Sequence, residues 1–125
     1  MPRILIVDDA PLFLLMLSKL LAEWVYEAAL AKDAEEALRI LETEEPFDLM
    51  ISDINMEPIN GLALLRKAKE SYAKMKVILI TAYETQYSYG EAERAGAFAY
   101  IPKPFRNPVL FKAIRRALEP SVATT

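Results

Sequence analysis

Short unbroken apolar runs alternate along this chain with longer stretches of helical period. Arg3–Val7, Leu49-Met50-Ile51-Ser52, Val77-Ile78-Leu79-Ile80 and Phe98–Ile101 are four such runs, and Val25–Leu30 is a weaker fifth. Runs of this length that do not alternate apolar with polar residues mark strands covered on both faces. Between them, Pro11–Ala22 carries Leu12, Leu15, Met16 and Leu20 among its apolar positions. Asp33, with Glu36 three residues on, reads as a capping box ahead of Ala37, Leu38 and Leu41. Leu62–Ala68 follows Gly61 as a third helix. Thr85–Ala95 is a fourth, weakened by Tyr87, Tyr89 and Gly90, with Gly96 as its stop. Asn107 as N-cap and Pro108 in the first turn open a fifth helix over Val109–Leu118.

Five strands alternating with five helices predict an α/β fold: a doubly wound, five-stranded parallel sheet of (βα)5 type. The 125 residues suffice for one core, so residues 1–119 form one domain. Residues 120–125 form a short tail, because Pro120 cannot continue the helix.

Charge and composition narrow the function. A formal net charge of −3 gives no positive field to hold nucleic acid, so direct DNA binding by this domain is not expected. The chain has no cysteine and no histidine. Disulfides, zinc sites built from those residues and a phosphohistidine on this chain are thereby excluded. A bound metal must be held by oxygen, which selects Mg²⁺, Mn²⁺ or Ca²⁺. The first apolar run ends at once in Asp8 and Asp9 and is too short to cross a membrane. A cytoplasmic location is therefore expected.

Ligands of open α/β sheets sit at the carboxyl ends of the strands. Asp8 and Asp9 follow the first strand, Asp53 the third, Thr81 the fourth and Lys103 the fifth. Each alone reads equally well as a solvated turn residue, a helix cap or a surface lysine. Together they place three carboxylates, one hydroxyl and one ammonium at one sheet edge. Crowded carboxylates repel one another and call for a cation among them.

These residues carry a family resemblance that spans the chain. Ile-Leu-Ile-Val-Asp8-Asp9, Asp53-Ile-Asn-Met-Glu-Pro-Ile-Asn-Gly61, Ile-Leu-Ile-Thr81-Ala82, Ala95-Gly96-Ala97 and Tyr100-Ile-Pro-Lys103-Pro104-Phe105 occur in the order seen in receiver domains of bacterial response regulators. The chain resembles that family, including its chemotaxis-type single-domain members. Two departures stand out: Pro58 lies one place later than the commonest pattern, and the turn at Glu23-Trp24 lacks the usual glycine.

The resemblance implies a flavodoxin-like strand order of 2-1-3-4-5 and a cis Lys103–Pro104 bond. It further implies that Asp53 accepts a phosphoryl group from a histidine kinase or a phosphotransfer protein. Mg²⁺, or Mn²⁺ in its place, would be held by Asp9, Asp53 and the Asn55 carbonyl, with Asp8 acting through water. Lys103 would pair with Asp53 at rest, and Thr81 and Tyr100 would switch together. The signal would leave through the face made by the fourth helix, fifth strand and fifth helix, toward a downstream protein or a weakly associating second copy. Asn55 and Tyr83 would flank the path of the water that ends the signal. Such a domain catalyses its own phosphorylation and slow dephosphorylation and is not a metabolic enzyme.

Rival readings fit less well. A haloacid-dehalogenase-like phosphatase needs a different spacing of acids after the first strand than Asp8-Asp9-Ala10-Pro11 supplies. A flavodoxin-like electron carrier needs a small-residue phosphate loop where two aspartates stand. The remaining alternative is a binding module that keeps the receiver fold without being phosphorylated.

Overall fold

Strand β1 (Arg3–Val7) is an interior strand, next to the β2 edge, of a parallel sheet whose order is β2-β1-β3-β4-β5, as expected. The others are β2 (Glu27–Ala31), β3 (Leu49–Asp53), β4 (Lys76–Thr81) and β5 (Ala99–Pro102). Helices α1 (Pro11–Glu23), α2 (Ala34–Thr43), α3 (Gly61–Ser71), α4 (Gln86–Ala95) and α5 (Asn107–Leu118) alternate with them. This computed structural model describes residues 2–44, 46–82 and 86–120, with only the backbone of Gln86 and Tyr87. The fourth helix was expected from Thr85, which lies outside the described residues, as does most of the expected tail. No described helix is long and apolar enough to cross a membrane.

Because strand side chains point alternately to opposite faces, each apolar run feeds two cores. Leu5, Val7, Met50, Val77 and Leu79 pack with Ala37, Leu41, Leu64, Leu65 and Ala92. Ile4, Ile6, Leu49, Ile51, Ile78 and Ile80 pack on the other face with Leu14, Leu17, Leu21, Leu110 and Ile114. Each fully buried aliphatic side chain contributes about 1.5–3 kcal/mol relative to exposure. The register pairs Val7 with Ser52, Asp53 with Ile80 and Thr81 with Pro102. The carboxyl ends of β1, β3, β4 and β5 therefore finish at nearly one level.

Helix α1 buries Leu14, Leu17 and Leu21, while Leu12, Leu15 and Met16 face outward. The segment is apolar almost all round, so its period alone does not select the face that meets the sheet. Helix α2 is capped as expected: the Glu36 N–H donates to Asp33 Oδ1 at 2.8 Å. In return, Glu36 Oε1 accepts from the N–H of Lys32, one residue further back than the cap. The N-cap of α5 is Arg106 and not Asn107, which is already helical. A proline fits either of the first two helical positions, so Pro108 could not separate them. The Lys103–Pro104 peptide is cis, and so is Glu57–Pro58.

Strand β2 starts two residues later than its apolar run, and the reason is the end of α1. Val25 adopts φ 64°, its N–H donates to the Ala22 carbonyl, and the Tyr26 N–H donates to the Leu21 carbonyl. That pattern is a Schellman ending, which normally takes glycine at the left-handed position. The glycine missing from this turn is replaced by a β-branched residue whose Cβ crowds the backbone there. Val25 is 64% exposed, so little packing would be lost with its side chain. Val25→Gly is expected to stabilise the fold by about 1 kcal/mol, read as a higher urea midpoint with unchanged slope. An unchanged or lower midpoint would show that the turn carries no such strain.

Candidate functional site

Strand β1 delivers Asp8 and Asp9 to the sheet edge, one buried and one exposed. Asp8 is 1% exposed; its Oδ1 accepts the Ala10 N–H at 2.8 Å, shaping the turn into α1. Its Oδ2 accepts from Lys103 Nζ at 3.2 Å. Asp53 ends β3 and is also buried; its Oδ1 lies 3.8 Å from the same ammonium. Lys103 was expected to pair with Asp53, and Asp8 is the closer partner. Because Lys103 stands after β5 and must reach across the edge toward β1, it meets both acids. Its Nζ lies 4.0 Å from the Phe13 ring centroid, a cation–π contact from α1 that helps to aim it.

Carboxylate oxygens of Asp8, Asp9 and Asp53 all lie within 4.8 Å of one another. Three carboxylates against one ammonium leave a formal charge of −2, the complement of one divalent cation. Asp53 Oδ1 is buried without a hydrogen-bond partner among the described residues. A buried carboxylate oxygen left without a hydrogen bond is costly, and a metal ion is the partner this donor set fits. All the oxygens are hard ligands, and the incomplete protein shell suits Mg²⁺, which keeps several waters.

Burial pushes the Asp53 carboxyl above the usual carboxylate range. Lys103 and the Asn55 N–H pull it back, while Asp8 and Asp9 push it up. Thr81 ends β4 wholly buried, and its Oγ1 donates to Asn55 Oδ1 at 2.8 Å. The loop carrying Asn55 is closed by bonds from the Met56 and Gly61 N–H groups to the Ile54 carbonyl. A Cβ on Gly61 would stand 2.2 Å from the Asp53 carbonyl oxygen, so only glycine lets α3 start this close to the acid.

The sheet edge thus brings together Asp8, Asp9, Asp53, Asn55, Thr81 and Lys103. Tyr100 stands apart on β5, half-buried, with its hydroxyl bonded to that of Ser88 on α4. Its ring meets Tyr89 edge-on at 5.5 Å. Tyr83 lies outside the described residues. Sequence reasoning missed Phe13 beneath Lys103, the Asn55–Thr81 bond and Ser88. Each is a contact between elements distant in sequence, and no local pattern marks it.

Residues 4–115 match the response regulator receiver domain family. The chain belongs to that family. It is 34% identical over 123 residues to the transcriptional regulatory protein GlrR of Escherichia coli, covering 98% of this chain and 28% of that protein. It is 36% identical over 104 residues to the DNA-binding transcriptional regulator NtrC of Proteus hauseri, covering 76% of this chain and 22% of the relative. The receiver domain therefore spans about a quarter of the length of these curated relatives. Among solved structures, a CheY-like receiver domain protein of Methanospirillum hungatei is 36% identical with a TM-score of 0.90, covering 94% of each chain. The response regulator TrrA of Thermotoga maritima, solved in complex with Mg²⁺ and BeF, is 34% identical with a TM-score of 0.86. That match covers 94% of this chain and 100% of TrrA. Membership in this family implies phosphorylation-dependent switching.

The raised Asp53 titration has a consequence for stability. The folded chain binds this proton more tightly than the unfolded chain, so the Asp53 contribution is fully present below about pH 3.9. It is lost as pH rises through the higher folded value. Ionised Asp53 therefore weakens the metal-free receiver domain near neutrality, and Asp53→Asn should raise its stability there. The gain should shrink steadily as pH falls toward 4. Urea unfolding with chelator present, at pH 7 and pH 4.5, reads the difference. A loss of stability at pH 7 would mean that the pair with Lys103 outweighs burial.

Proposed function

We propose that this receiver domain is a Mg²⁺-dependent switch that takes a phosphoryl group onto Asp53 from a phosphohistidine. The single observation that carries the reading is the buried Asp53 Oδ1, without a hydrogen-bond partner among the described residues, inside an acidic cluster of net charge −2. That atom has a free lone pair for phosphorus and sits where a cation is needed. Asp9 and Asp53 would hold Mg²⁺ directly, the Asn55 backbone carbonyl would supply a third ligand, and Asp8 would act through water. Mn²⁺ satisfies the same oxygen set. The bound ion supplies charge neutralisation at the phosphoryl oxygens. The TrrA complex with Mg²⁺ and BeF supports this placement by likeness.

In the transfer, an Asp53 oxygen forms the new bond to phosphorus as the bond from phosphorus to the donor imidazole nitrogen breaks. The departing nitrogen keeps the electron pair of that bond, and the imidazole leaves neutral because its other ring nitrogen already carries a proton. Lys103, already within 3.8 Å of Asp53, would stay beside the acceptor and offset phosphoryl charge. The Thr81 hydroxyl would turn to a second phosphoryl oxygen, and Tyr100 would move into the space it leaves. The same groups carry both self-catalysed phosphorylation and slow hydrolysis.

A donor must cover the site from water, and the rim offers an apolar surface for it. Leu12, Leu15 and Met16 are at least half exposed on α1. A groove of about 570 Å³ lined by Phe13, Met16, Lys103, Pro104 and Phe105 continues that surface to the site. A histidine kinase or phosphotransfer protein is the donor of the right chemistry. Output would leave through α4, β5 and α5, where Tyr89 is exposed beside Tyr100, toward a downstream protein in the cytoplasm or a second copy.

Acetyl phosphate with Mg²⁺ should add one phosphoryl mass to the parent chain and none to Asp53→Asn. Unlabelled parent protein would favour the reading of a receiver fold that binds without being phosphorylated, and label mapped to another carboxylate would move the acceptor.

The metal set is tested separately by calorimetric titration. Asp9→Ala should weaken Mg²⁺ binding by tenfold or more, since it removes a direct ligand and its charge, on the order of 1.4 kcal/mol per decade. Asp8→Ala should weaken it less. Unchanged affinity in both variants would place the metal elsewhere.

A further inference from the structure

Asn55 follows Asp53 by two residues and bonds to Thr81. Its side-chain carbonyl accepts the Thr81 hydroxyl at 2.8 Å, and its backbone N–H opposes the upward push of burial on the Asp53 carboxyl. A threonine hydroxyl has one proton. Donated to Asn55, that proton is not available to a phosphoryl oxygen. Thr81 is wholly buried, so its hydroxyl cannot substitute water freely for a lost partner.

We propose that the Asn55 side chain is a latch that holds Thr81 back from the phosphoryl position in the unphosphorylated chain. Asn55 is then a positioning residue, acting on the site through Thr81. Switching exchanges the Thr81–Asn55 bond for a Thr81–phosphoryl bond, and the difference between them is one contribution to the free energy of activation. The latch sits in the loop that follows the acceptor, closed by the bonds to the Ile54 carbonyl, so the two ends keep a fixed relation. Its exposed side chain can be solvated when the bond breaks, which keeps the cost of opening modest. The proposal rests on Asp53 being the acceptor.

The test is a beryllofluoride titration at saturating Mg²⁺, followed by NMR, on the parent, Asn55→Ala, Thr81→Ala and the double variant. Asn55→Ala should bind beryllofluoride roughly fivefold more tightly, the size of one ordinary hydrogen bond removed from the resting side. The gain should vanish when Thr81 is already alanine, because there is then no hydroxyl to release. Without ligand, methyl couplings should show Thr81 in one rotamer in the parent and in mixed rotamers in Asn55→Ala. Equal gains in both backgrounds would mean that Asn55 acts on the acceptor directly, and would overturn the latch. Unchanged or weaker binding in Asn55→Ala, or an unchanged Thr81 rotamer, would overturn it as well. If the parent itself takes no beryllofluoride while Thr81 still unlatches in Asn55→Ala, the acceptor reading fails, and the latch falls with it as a switch component.

Discussion

A parallel register holds the ends of four neighbouring strands at one level, and the chemistry of this chain depends on that constraint. Val7 pairs with Ser52, Asp53 with Ile80 and Thr81 with Pro102, so whatever follows each strand emerges beside its neighbours. The register is stiff because β1, β3 and β4 are buried on both faces. A slip of one residue would turn Leu5, Val7, Met50 and Leu79 into the core now filled by Ile4, Ile6, Leu49 and Ile80. Two differently shaped cores thus hold the acids of β1 and β3 within ångströms of each other.

That stiffness sustains an electrostatic arrangement that would otherwise relax. Asp8, Asp9 and Asp53 cannot move apart without disturbing the strand ends that carry them, and Lys103 balances only part of their charge. The result is an acid held in an unfavourable environment, with a raised titration and an oxygen that has no hydrogen-bond partner among the described residues. Local instability of this kind is common where groups must react or bind. A cation and a phosphoryl group would each relieve part of it, which connects the packing of the sheet to a switch driven by charge.

The two side chains proposed to switch are held more softly than the frame around them. Thr81 is tied to Asn55 and Tyr100 to Ser88, each by a side-chain hydrogen bond that can be exchanged without breaking the sheet ladder. Helix α4, which carries Ser88 and Tyr89, has the residues least suited to helix among the five, including Gly90. A surface element of low intrinsic stability, tied to β5 through the Ser88 and Tyr100 hydroxyls, can shift without disturbing the sheet.

How much of this was legible in the residues follows from the range of each interaction. Strand runs, the Asp33 cap, the order of elements and the acids at strand ends are local or periodic features, so the sequence by itself determined the α/β class and the membership of the site. The burial face of α1 was not legible, because a helix apolar on all sides carries no phase. Val25 escaped notice because its left-handed conformation is imposed by the bonds that end α1, against its own preference. The pairing of Lys103 with Asp8, the Phe13 ring beneath it and the Asn55–Thr81 bond were decided only by the tertiary structure. They join groups far apart along the chain, and their partners are selected by distance and burial after the sheet has closed.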